Sequence, residues 1–332
     1  GNMAILEMKE VSRHFEVKAG MVAKYFKGQP NRQIKAVESV NFSLEKNEVL
    51  GIAGESGCGK STCCMMIAGL LQPSSGEIIY NDKGISQLNA EESHWYRSQV
   101  QMIFQDPYES LNPRFSVFDT VAEGPRALKL YPETEIADRT EEMLKSVGLS
   151  LEKYADRYPH ELSGGERQRV GIASALVMEP SMVIADEPLS MLDVSIRAGI
   201  LDLLKELATQ RNFSCIYVSH DLSILGHIAD RLMIMYLGQA MEIGPTWDVI
   251  ENPKHPYTRA LINAVPIPDP RVQRPIPNIK GDISRPIDPP PGCRFQKRCP
   301  HADQSCTENF ITLQATSDNQ HQAACHRLDS IQ

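Results

Sequence analysis

The fold is decided by the stretch Gly54-Glu55-Ser56-Gly57-Cys58-Gly59-Lys60-Ser61. Its glycines allow successive backbone N–H groups to converge on phosphate oxygens, and a helix that begins at Lys60 adds the favourable dipole of its N-terminus. The apolar run Glu48–Ala53 precedes the stretch, and the helical pattern Lys60–Leu71 follows it, closed by Gln72-Pro73. Strand, glycine-rich loop and helix in this order predict a phosphate-binding loop.

The side chains at the end of this loop have distinct expected roles. Lys60 would reach the β- and γ-phosphates of ATP, Ser61 would ligate Mg²⁺, and Thr62 could support a phosphate. The alternative is a chance match to the pattern, which the strand–loop–helix context disfavours.

Apolar periodicity away from the loop indicates the rest of the fold. Alternation in Ile5–Phe15 and Ala36–Leu44 predicts antiparallel strands. The segment from about Pro107 to Leu162 has a helical pattern. Three further apolar runs each adjoin a helical stretch, which predicts a parallel sheet with crossover helices. These runs are Met182–Ala185, Cys215–Val218 and Leu232–Tyr236.

Two carboxylates, Asp186 and Glu187, follow the apolar run that begins at Met182. An apolar strand that ends in this way places both carboxylates at the carboxyl edge of a parallel sheet, where ligands bind. Asp186 would hold Mg²⁺ through water, and Glu187 would polarise the attacking water as general base. Alone, such a pair is commonly a solvated loop or a helix cap. The phosphate loop elsewhere in the chain favours the catalytic interpretation.

A second turn of small residues before a helix is Leu162-Ser163-Gly164-Gly165-Glu166-Arg167-Gln168-Arg169. A cap followed by an amphipathic helix is one interpretation, and an anion site at a helix N-terminus is the other. The run resembles the signature motif of ATP-binding cassette (ABC) proteins. That resemblance implies that two ATPase domains dimerise head to tail around ATP. Ser163, Gly164 and Gly165 would then contact the nucleotide held by the partner's phosphate loop, so that one chain is half of each site.

The resemblance also implies roles for single residues. Gln105 fits the glutamine loop that touches Mg²⁺ and the attacking water, and His220 fits the switch histidine near the γ-phosphate. Asp193 fits the loop that crosses the dimer interface. Phe15 is the candidate for stacking on adenine, although a core Phe is the alternative and Tyr is commoner there. Leu189 and Met191 depart from the small or polar residues usual at their positions, for which we expect changed packing rather than lost catalysis.

Within the ABC proteins, the chain is similar to the ATPase subunits of dipeptide and oligopeptide importers, and nickel importers share much of the pattern. The runs that carry this resemblance are Phe15–Met21, Gln105–Arg114, Arg157–His160, Asn252–Thr258, Pro289–Cys293 and Arg298–Pro300. The implied fold is α/β: a P-loop ATPase core with an antiparallel β subdomain, a helical subdomain at about 106–165, and a Pro/Cys-rich C-terminal extension. The expected boundaries are 3–250 for the ATPase domain and 251–332 for the extension.

The implied partners are two membrane permease subunits, a second ATPase subunit that is a paralogue rather than a copy of this chain, and indirectly a substrate-binding protein. The composition agrees with a peripheral subunit on the cytoplasmic face of the cell membrane. The net charge of −8 disfavours a nucleic-acid binder, and no apolar run in the sequence reaches the roughly 18 residues of a membrane span. No signal peptide pattern begins the sequence.

The C-terminal extension contains nine prolines between Pro266 and Pro291, which predict an extended arm, and the cysteines Cys293, Cys299, Cys306 and Cys325. Zinc sites commonly use closer cysteine pairs than the C-x5-C-x6-C-x18-C spacing found here. Four thiolates with wide gaps suit a [4Fe–4S] cluster, which the family resemblance also implies. Zn²⁺ and free or oxidised thiols remain alternatives, and a structural staple is the simpler role.

Two other classes of protein are rival interpretations of the whole chain. One is an ABC ATPase that acts on ribosomes or DNA, but the sequence has a single phosphate loop and no long coiled coil. The other is a metal-cluster protein with a regulatory nucleotide site. Glu187 and His220 argue against it, since both are expected for hydrolysis.

Overall fold

The computed structural model describes residues 4–16, 33–265, 289–316 and 320–328. The chain divides into two compact units. Of the described residues, the first comprises 45–49 and 87–218, and the second comprises 4–16, 33–44, 50–86, 219–265, 289–316 and 320–328. This division does not test the boundary expected at residue 250, which stays a prediction. Most of the expected proline-rich arm falls on residues 266–288, outside the described residues.

The strands of the described residues are β1 (Ala4–Glu16), β2 (Gln33–Glu45), β3 (Val49–Ala53), β4 (Ser75–Tyr80), β5 (Lys83–Gly84), β6 (Val100–Ile103), β7 (Met182–Asp186), β8 (Ser214–Val218), β9 (Arg231–Tyr236), β10 (Gln239–Pro245), β11 (Gln314–Ala315) and β12 (Gln322–Ala323). The helices are α1 (Lys60–Ile67), α2 (Ala90–Gln99), α3 (Val117–Ala127), α4 (Glu133–Ser146), α5 (Leu151–Tyr154), α6 (Gly164–Leu176), α7 (Val194–Arg211), α8 (Leu222–Ile228), α9 (Thr246–Glu251), α10 (Pro256–Asn263) and α11 (Ser305–Glu308). Short 3₁₀ turns lie at Ile85–Gln87 and Pro159–Glu161. Among these described helices, none is both long and apolar enough to cross a membrane.

The first unit contains parallel strands in the order β6-β7-β8. Every residue of β7 and β8 is buried, which explains why their sequences are continuous apolar runs rather than alternating ones. The expected parallel sheet is confirmed here, although β6 was not predicted. The helical pattern expected over Pro107–Leu162 resolves into α3, α4 and α5. Residues 107–116 are not helical, and α3 begins only after Ser116, whose side chain caps the helix by accepting the amide of Asp119.

The second unit contains a sheet of order β2-β1-β4-β5, in which β1 and β4 pair antiparallel. The two alternating runs expected to be strands lie within β1 and β2. A further set of strands joins β3 to β9 in parallel, and then β9 to β10 and β10 to β12 antiparallel. The single predicted run at Leu232–Tyr236 is thus one arm of a hairpin whose second arm is β10.

Helix α1 is shorter than expected, since it ends at Ile67 rather than Leu71. Gly69 has a φ of +74° and so leaves the helical region. The amide of Gly69 bonds the carbonyl of Met66 (3.1 Å), and the amide of Leu70 bonds that of Met65 (2.9 Å). This pair of bonds is a Schellman motif, which satisfies the last carbonyls and ends the helix.

A buried polar cluster joins β10 to the C-terminal region of the second unit. The Glu242 carboxylate, fully buried, accepts the amides of Lys254 and His255 (both 2.8 Å) and bonds Nε2 of His321 (2.6 Å). His255 Nδ1 in turn accepts the amide of Tyr257 (3.0 Å) and so caps α10. Since Nδ1 is an acceptor here, the fold requires a neutral imidazole at His255.

We therefore expect acid to destabilise the protein through His255. Burial lowers the pKa of this imidazole to about 4 from 6.5, and Glu242 opposes the change only in part. The unfolded chain then binds a proton that the native chain does not, so stability is present above pH 6.5 and falls as the pH drops towards 4. His255→Asn keeps a capping side chain without a titrating group. Urea unfolding of parent and variant at pH 7.5 and pH 5 should show roughly 1–2 kcal/mol more loss in the parent. Equal losses would contradict this assignment.

Candidate functional site

The phosphate loop follows β3 directly and passes very close to other backbone. Gly54 has a φ of +154° and Gly59 a φ of +98°. A Cβ at Gly54 would lie 2.2 Å from the carbonyl oxygen of Met235, and one at Gly59 would lie 2.4 Å from that of Ala36. Only glycine fits both positions. The first residue of α1 is Lys60, and its N-cap, Gly59, offers no side-chain cap.

The side chain of Lys60 turns back over the loop that precedes it. Nζ donates to the carbonyl oxygens of Gly54 (2.7 Å) and Glu55 (3.1 Å) and lies 3.6 Å from Sγ of Cys58. Burial raises the pKa of the Cys58 thiol, and the neighbouring Lys60 charge opposes this, so we expect a neutral thiol beside the ammonium. Ser61 lies exposed in the first turn of α1, and Thr62 is half-buried.

Residues far along the chain support this loop, and sequence reasoning had assigned them no role in it. The amide of Glu55 donates to the hydroxyl of Tyr257 (3.2 Å), and its carboxylate pairs with Arg298 (3.0 Å). The amide of Gly238 donates to the carbonyl of Cys58 (2.8 Å). Tyr257 and Arg298 both lie within the extension expected from residue 251.

His220 lies in the same unit as the phosphate loop and follows Ser219, whose amide donates to the carbonyl of Ile52 in β3 (3.1 Å). The hydroxyl of Ser219 then accepts the amide of Asp221 (3.0 Å), which caps α8. His220 is therefore an exposed residue held next to the carboxyl end of β3, just before the loop begins. This placement agrees with the expected switch histidine, whose role stays a prediction.

Phe15 lies near the end of β1, in the second unit, and is partly exposed. The guanidinium of Arg13 lies 4.6 Å from the centre of its ring. An arginine over an aromatic face is a common stabilising contact. Adenine stacking on Phe15 stays a prediction.

The first unit brings Asp186, Glu187 and Gln105 to one edge of its parallel strands. Asp186 ends β7 and is buried, and Glu187 follows it with a φ of +49°. Its amide donates to the carbonyl of Val218, the last residue of β8 (2.9 Å). Gln105 is exposed two residues after β6, whose residue Ile103 is in register with Ala185. A left-handed conformation at a non-glycine residue is strained and is typical of functional positions.

The signature run begins α6 with a capping box. Oγ of Ser163 accepts the amide of Glu166 (3.2 Å), and the Glu166 carboxylate accepts the amide of Ser163 (2.9 Å). A Cβ at Gly165 would lie 2.8 Å from Cγ2 of Ile196, and one at Gly164 would lie 3.3 Å from the hydroxyl of Tyr108. Ser163 therefore caps α6, and the contact with a partner's nucleotide stays a prediction.

The loop between β7 and α7 contains the two departures from the family pattern. Leu189 is buried and Met191 is about half exposed, at 52%. Asp193 is exposed at the N-cap of α7 without a side-chain capping bond. The expectation that Leu189 changes packing agrees with its burial, while Asp193 stays available for other contacts.

The four cysteines of the extension line one small cavity, together with Phe295, His255, His301 and His326. The cavity measures about 10 Å³, which is room for about one water molecule. Burial raises the pKa of Cys293 to about 12 and also raises the pKa values of Cys299 and Cys325. The thiols suit a soft metal in ligand type. Within the part of the chain that the structure describes, however, no three Cys, His, Asp or Glu residues are placed to hold a metal ion.

Two family models match the chain. The model of "ABC transporter" matches residues 37–190, and that of "Oligopeptide/dipeptide transporter, C-terminal region" matches residues 241–306. The first contains the phosphate loop, Gln105, the signature run and Glu187. The second contains Tyr257, Arg298 and three of the four tail cysteines.

Characterised relatives match over the whole length. The chain is 43% identical over 331 residues to the oligopeptide transport ATP-binding protein OppF of Salmonella typhimurium, which covers 98% of this chain and 97% of that protein. It is 39% identical over 327 residues to the di/tripeptide transport ATP-binding protein DppF of Pseudomonas aeruginosa, with 98% of each covered.

Solved structures match about three quarters of the chain. One is cbiO1 of Clostridium perfringens, part of an ABC transporter complex, at 31% identity and a TM-score of 0.62 over 75% of this chain and 91% of that one. Another is a dimeric post-hydrolysis state of an ATP-binding cassette with ADP and Pi, at 27% identity and a TM-score of 0.62 over 73% and 98%.

We expect substitution of two glycines of the loop by alanine to reduce the stability of the protein by different amounts. Gly59→Ala would force Cβ into the Ala36 carbonyl, whereas Gly57→Ala meets no atom within 4 Å and carries only the strain of its φ of +76°. The first change should lower the free energy of unfolding by about 3 kcal/mol and the second by about 1 kcal/mol. Urea unfolding of both variants measures this, and equal losses would show that the close approach is relaxed in solution.

Proposed function

Because this chain belongs to the ABC transporters, among the ATP-binding subunits of peptide transporters, we propose that it binds and hydrolyses ATP to power the import of dipeptides or oligopeptides. The observation that carries the proposal is the phosphate loop between β3 and α1. The loop leads into the N-terminus of α1, which has no side-chain cap, and the Lys60 ammonium lies over the loop backbone. Both features suit the binding of a triphosphate. A nickel importer ATPase is the second candidate, and the peptide-transporter names of the relatives favour peptides.

The binding step follows from charge and backbone geometry. The N-terminus of α1 presents backbone N–H groups without a side-chain cap, and these suit phosphate oxygens. The Lys60 ammonium neutralises part of the β- and γ-phosphate charge. Ser61 and Gln105 would hold Mg²⁺ directly and Asp186 would hold it through water, and the ion would supply further charge stabilisation.

For the hydrolytic step we assign Glu187 as general base. Its carboxylate would accept a proton from the water that attacks the γ-phosphate, while Gln105 orients that water and His220 contacts the γ-phosphate. The hydrogen bond from the Glu187 amide to Val218 fixes this residue at the strand edge. A base must be held within hydrogen-bond reach of its proton, which such backbone anchoring provides.

The remaining residues are assigned to nucleotide held by a second subunit. Ser163, Gly164 and Gly165 would contact that nucleotide, and Asp193 would lie at the interface. We propose that the paired ATPase subunit is a paralogue and that the pair works on the cytoplasmic face of the membrane with two permease subunits. Helices of the permease would dock near the helical subdomain, after Gln105.

Glu187→Gln should separate binding from chemistry. Without the base we expect ATP hydrolysis to fall about 10²–10⁴-fold, while ATP still binds and holds the paired subunits together. ATPase rate, ATP affinity and the size of the complex should be measured with the paired subunit and permease present. Lys60→Ala is the contrasting control, since it should weaken ATP binding itself. Normal turnover by Glu187→Gln would refute the assignment of the base.

For the cysteines we propose a bound [4Fe–4S] cluster, with Zn²⁺ as the alternative and a structural role for either. The proposal is supported by the meeting of four thiols at one cavity and by their lack of disulfide bonds. Because no three of the described Cys, His, Asp or Glu residues are placed to hold a metal ion, these thiols would have to reorient when a cluster binds. Binding would require the thiols to lose their protons, against the effect of burial.

Anaerobic purification tests this proposal. A cluster should give a broad absorption at about 400 nm and about four irons per chain, whereas a zinc site gives neither. Cys306→Ala should abolish the signal. The control Cys215→Ala removes a buried thiol of β8 and should leave it intact. Metal-free protein with unchanged folding would count against any resident metal.

A further inference from the structure

The phosphate loop contains an acidic residue, Glu55, at a place where a triphosphate is expected to bind. Three contacts hold it. The Glu55 carbonyl accepts from Lys60 (3.1 Å), its amide donates to Tyr257 (3.2 Å), and its carboxylate faces the guanidinium of Arg298. Two of the three partners come from the region after β10, far along the chain.

The ion pair of Glu55 with Arg298 is bidentate, and both side chains are largely shielded from solvent. Nη1 lies 3.0 Å from Oε2 and Nη2 lies 3.4 Å from Oε1. The exposed fractions of the two side chains are 9% for Arg298 and 22% for Glu55. Because so little solvent reaches these two side chains, it screens their charges weakly. Removal of one partner would therefore leave the other as an uncompensated charge with a strong local field.

Arg298 is itself held by a buried aromatic cluster. Its amide donates to the carbonyl of Phe295 (2.9 Å), and Nη1 also donates to the hydroxyl of Tyr236 (3.3 Å). The Phe295 ring, fully buried, lies 5.4 Å from that of Tyr236 and 5.3 Å from that of Tyr257. The guanidinium therefore has a fixed position before any ligand binds, which is the condition for presetting a loop.

We propose that Arg298 is a positioning residue for nucleotide binding: it neutralises Glu55 and, with Tyr257, fixes the phosphate loop from the C-terminal region. An unpaired Glu55 carboxylate would repel the phosphates of ATP and would free the loop to move. The region after β10 thus takes part in nucleotide binding through its effect on the loop. This inference rests on the proposed function only in that the loop binds nucleotide.

A double-mutant cycle tests the proposal, with the ATP dissociation constant of the full chain measured in the presence of Mg²⁺ by fluorescence titration. Arg298→Met should weaken ATP binding about tenfold, because it leaves Glu55 charged and unpaired. Adding Glu55→Gln to Arg298→Met removes that charge and should restore most of the affinity. The Glu55→Gln single variant must also be measured, because the coupling between the two residues is calculated from both single variants and the double variant. A merely structural arginine would not be rescued in this way.

Arg294→Met is the matched control. Arg294 lies on the same turn and is also buried. Its guanidinium lies 2.9 Å from the carboxylate of Glu38, a residue outside the phosphate loop. Glu55→Gln should not rescue any affinity that Arg294→Met loses. Thermal unfolding of every variant separates lost folding from lost affinity. If Arg298→Met does not fold, Arg298→Gln, which keeps a polar side chain but carries no charge, replaces it under the same criteria.

Unchanged affinity in the Arg298 variant, or a double variant as weak as the single one, would overturn the proposal. Rescue by Glu55→Gln equally strong in the Arg294 background would also overturn it. Failure of the parent chain to bind ATP is a different outcome, since it would refute the proposed function itself.

Discussion

The structure depends on a steric constraint at the phosphate loop. The backbone at Gly54 and Gly59 approaches the carbonyl oxygens of Met235 and Ala36 so closely that a Cβ would lie 2.2 Å and 2.4 Å from them. The end of β9 and the start of β2 therefore form the back wall of the loop. Because that wall consists of backbone, it cannot yield as a flexible side chain would, and the loop and the first turn of α1 are held in one arrangement.

The phosphate loop contains a negative charge that a residue of the C-terminal region neutralises. A loop that gathers N–H groups for phosphate also holds the carboxylate of Glu55, whose charge has the wrong sign for that ligand. Arg298 supplies the opposite charge from a turn anchored by Phe295. The ATPase core and the C-terminal region are thus linked by charge and by packing, which gives a physical reason for them to occur in one chain.

The sequence predicted those parts of the site that are local in the chain. The loop from Gly54 to Ser61 and the pair Asp186–Glu187 could be found because each motif is contiguous and follows an apolar strand. The pair of Glu55 and Arg298 spans 243 positions, and no local pattern encodes it. The strand β6 was missed because two of its four residues are only partly buried, and its second residue is Gln101. The end of α1 was misjudged since Gly69 stops the helix before Pro73 does.

Glutamate recurs at both turns of small residues that begin a helix in this chain, and in each case nearby donors compensate it. Glu166 accepts the amide of Ser163 and the hydroxyl of Tyr154 (3.0 Å), and the first of these bonds is the main cause of its lowered pKa. Its charge is therefore already used within the cap. The hydroxyl of Ser163 accepts one amide through a lone pair and keeps its own proton to donate. Capping of α6 and donation to a phosphate oxygen are thus compatible, because they use different atoms of the same hydroxyl group.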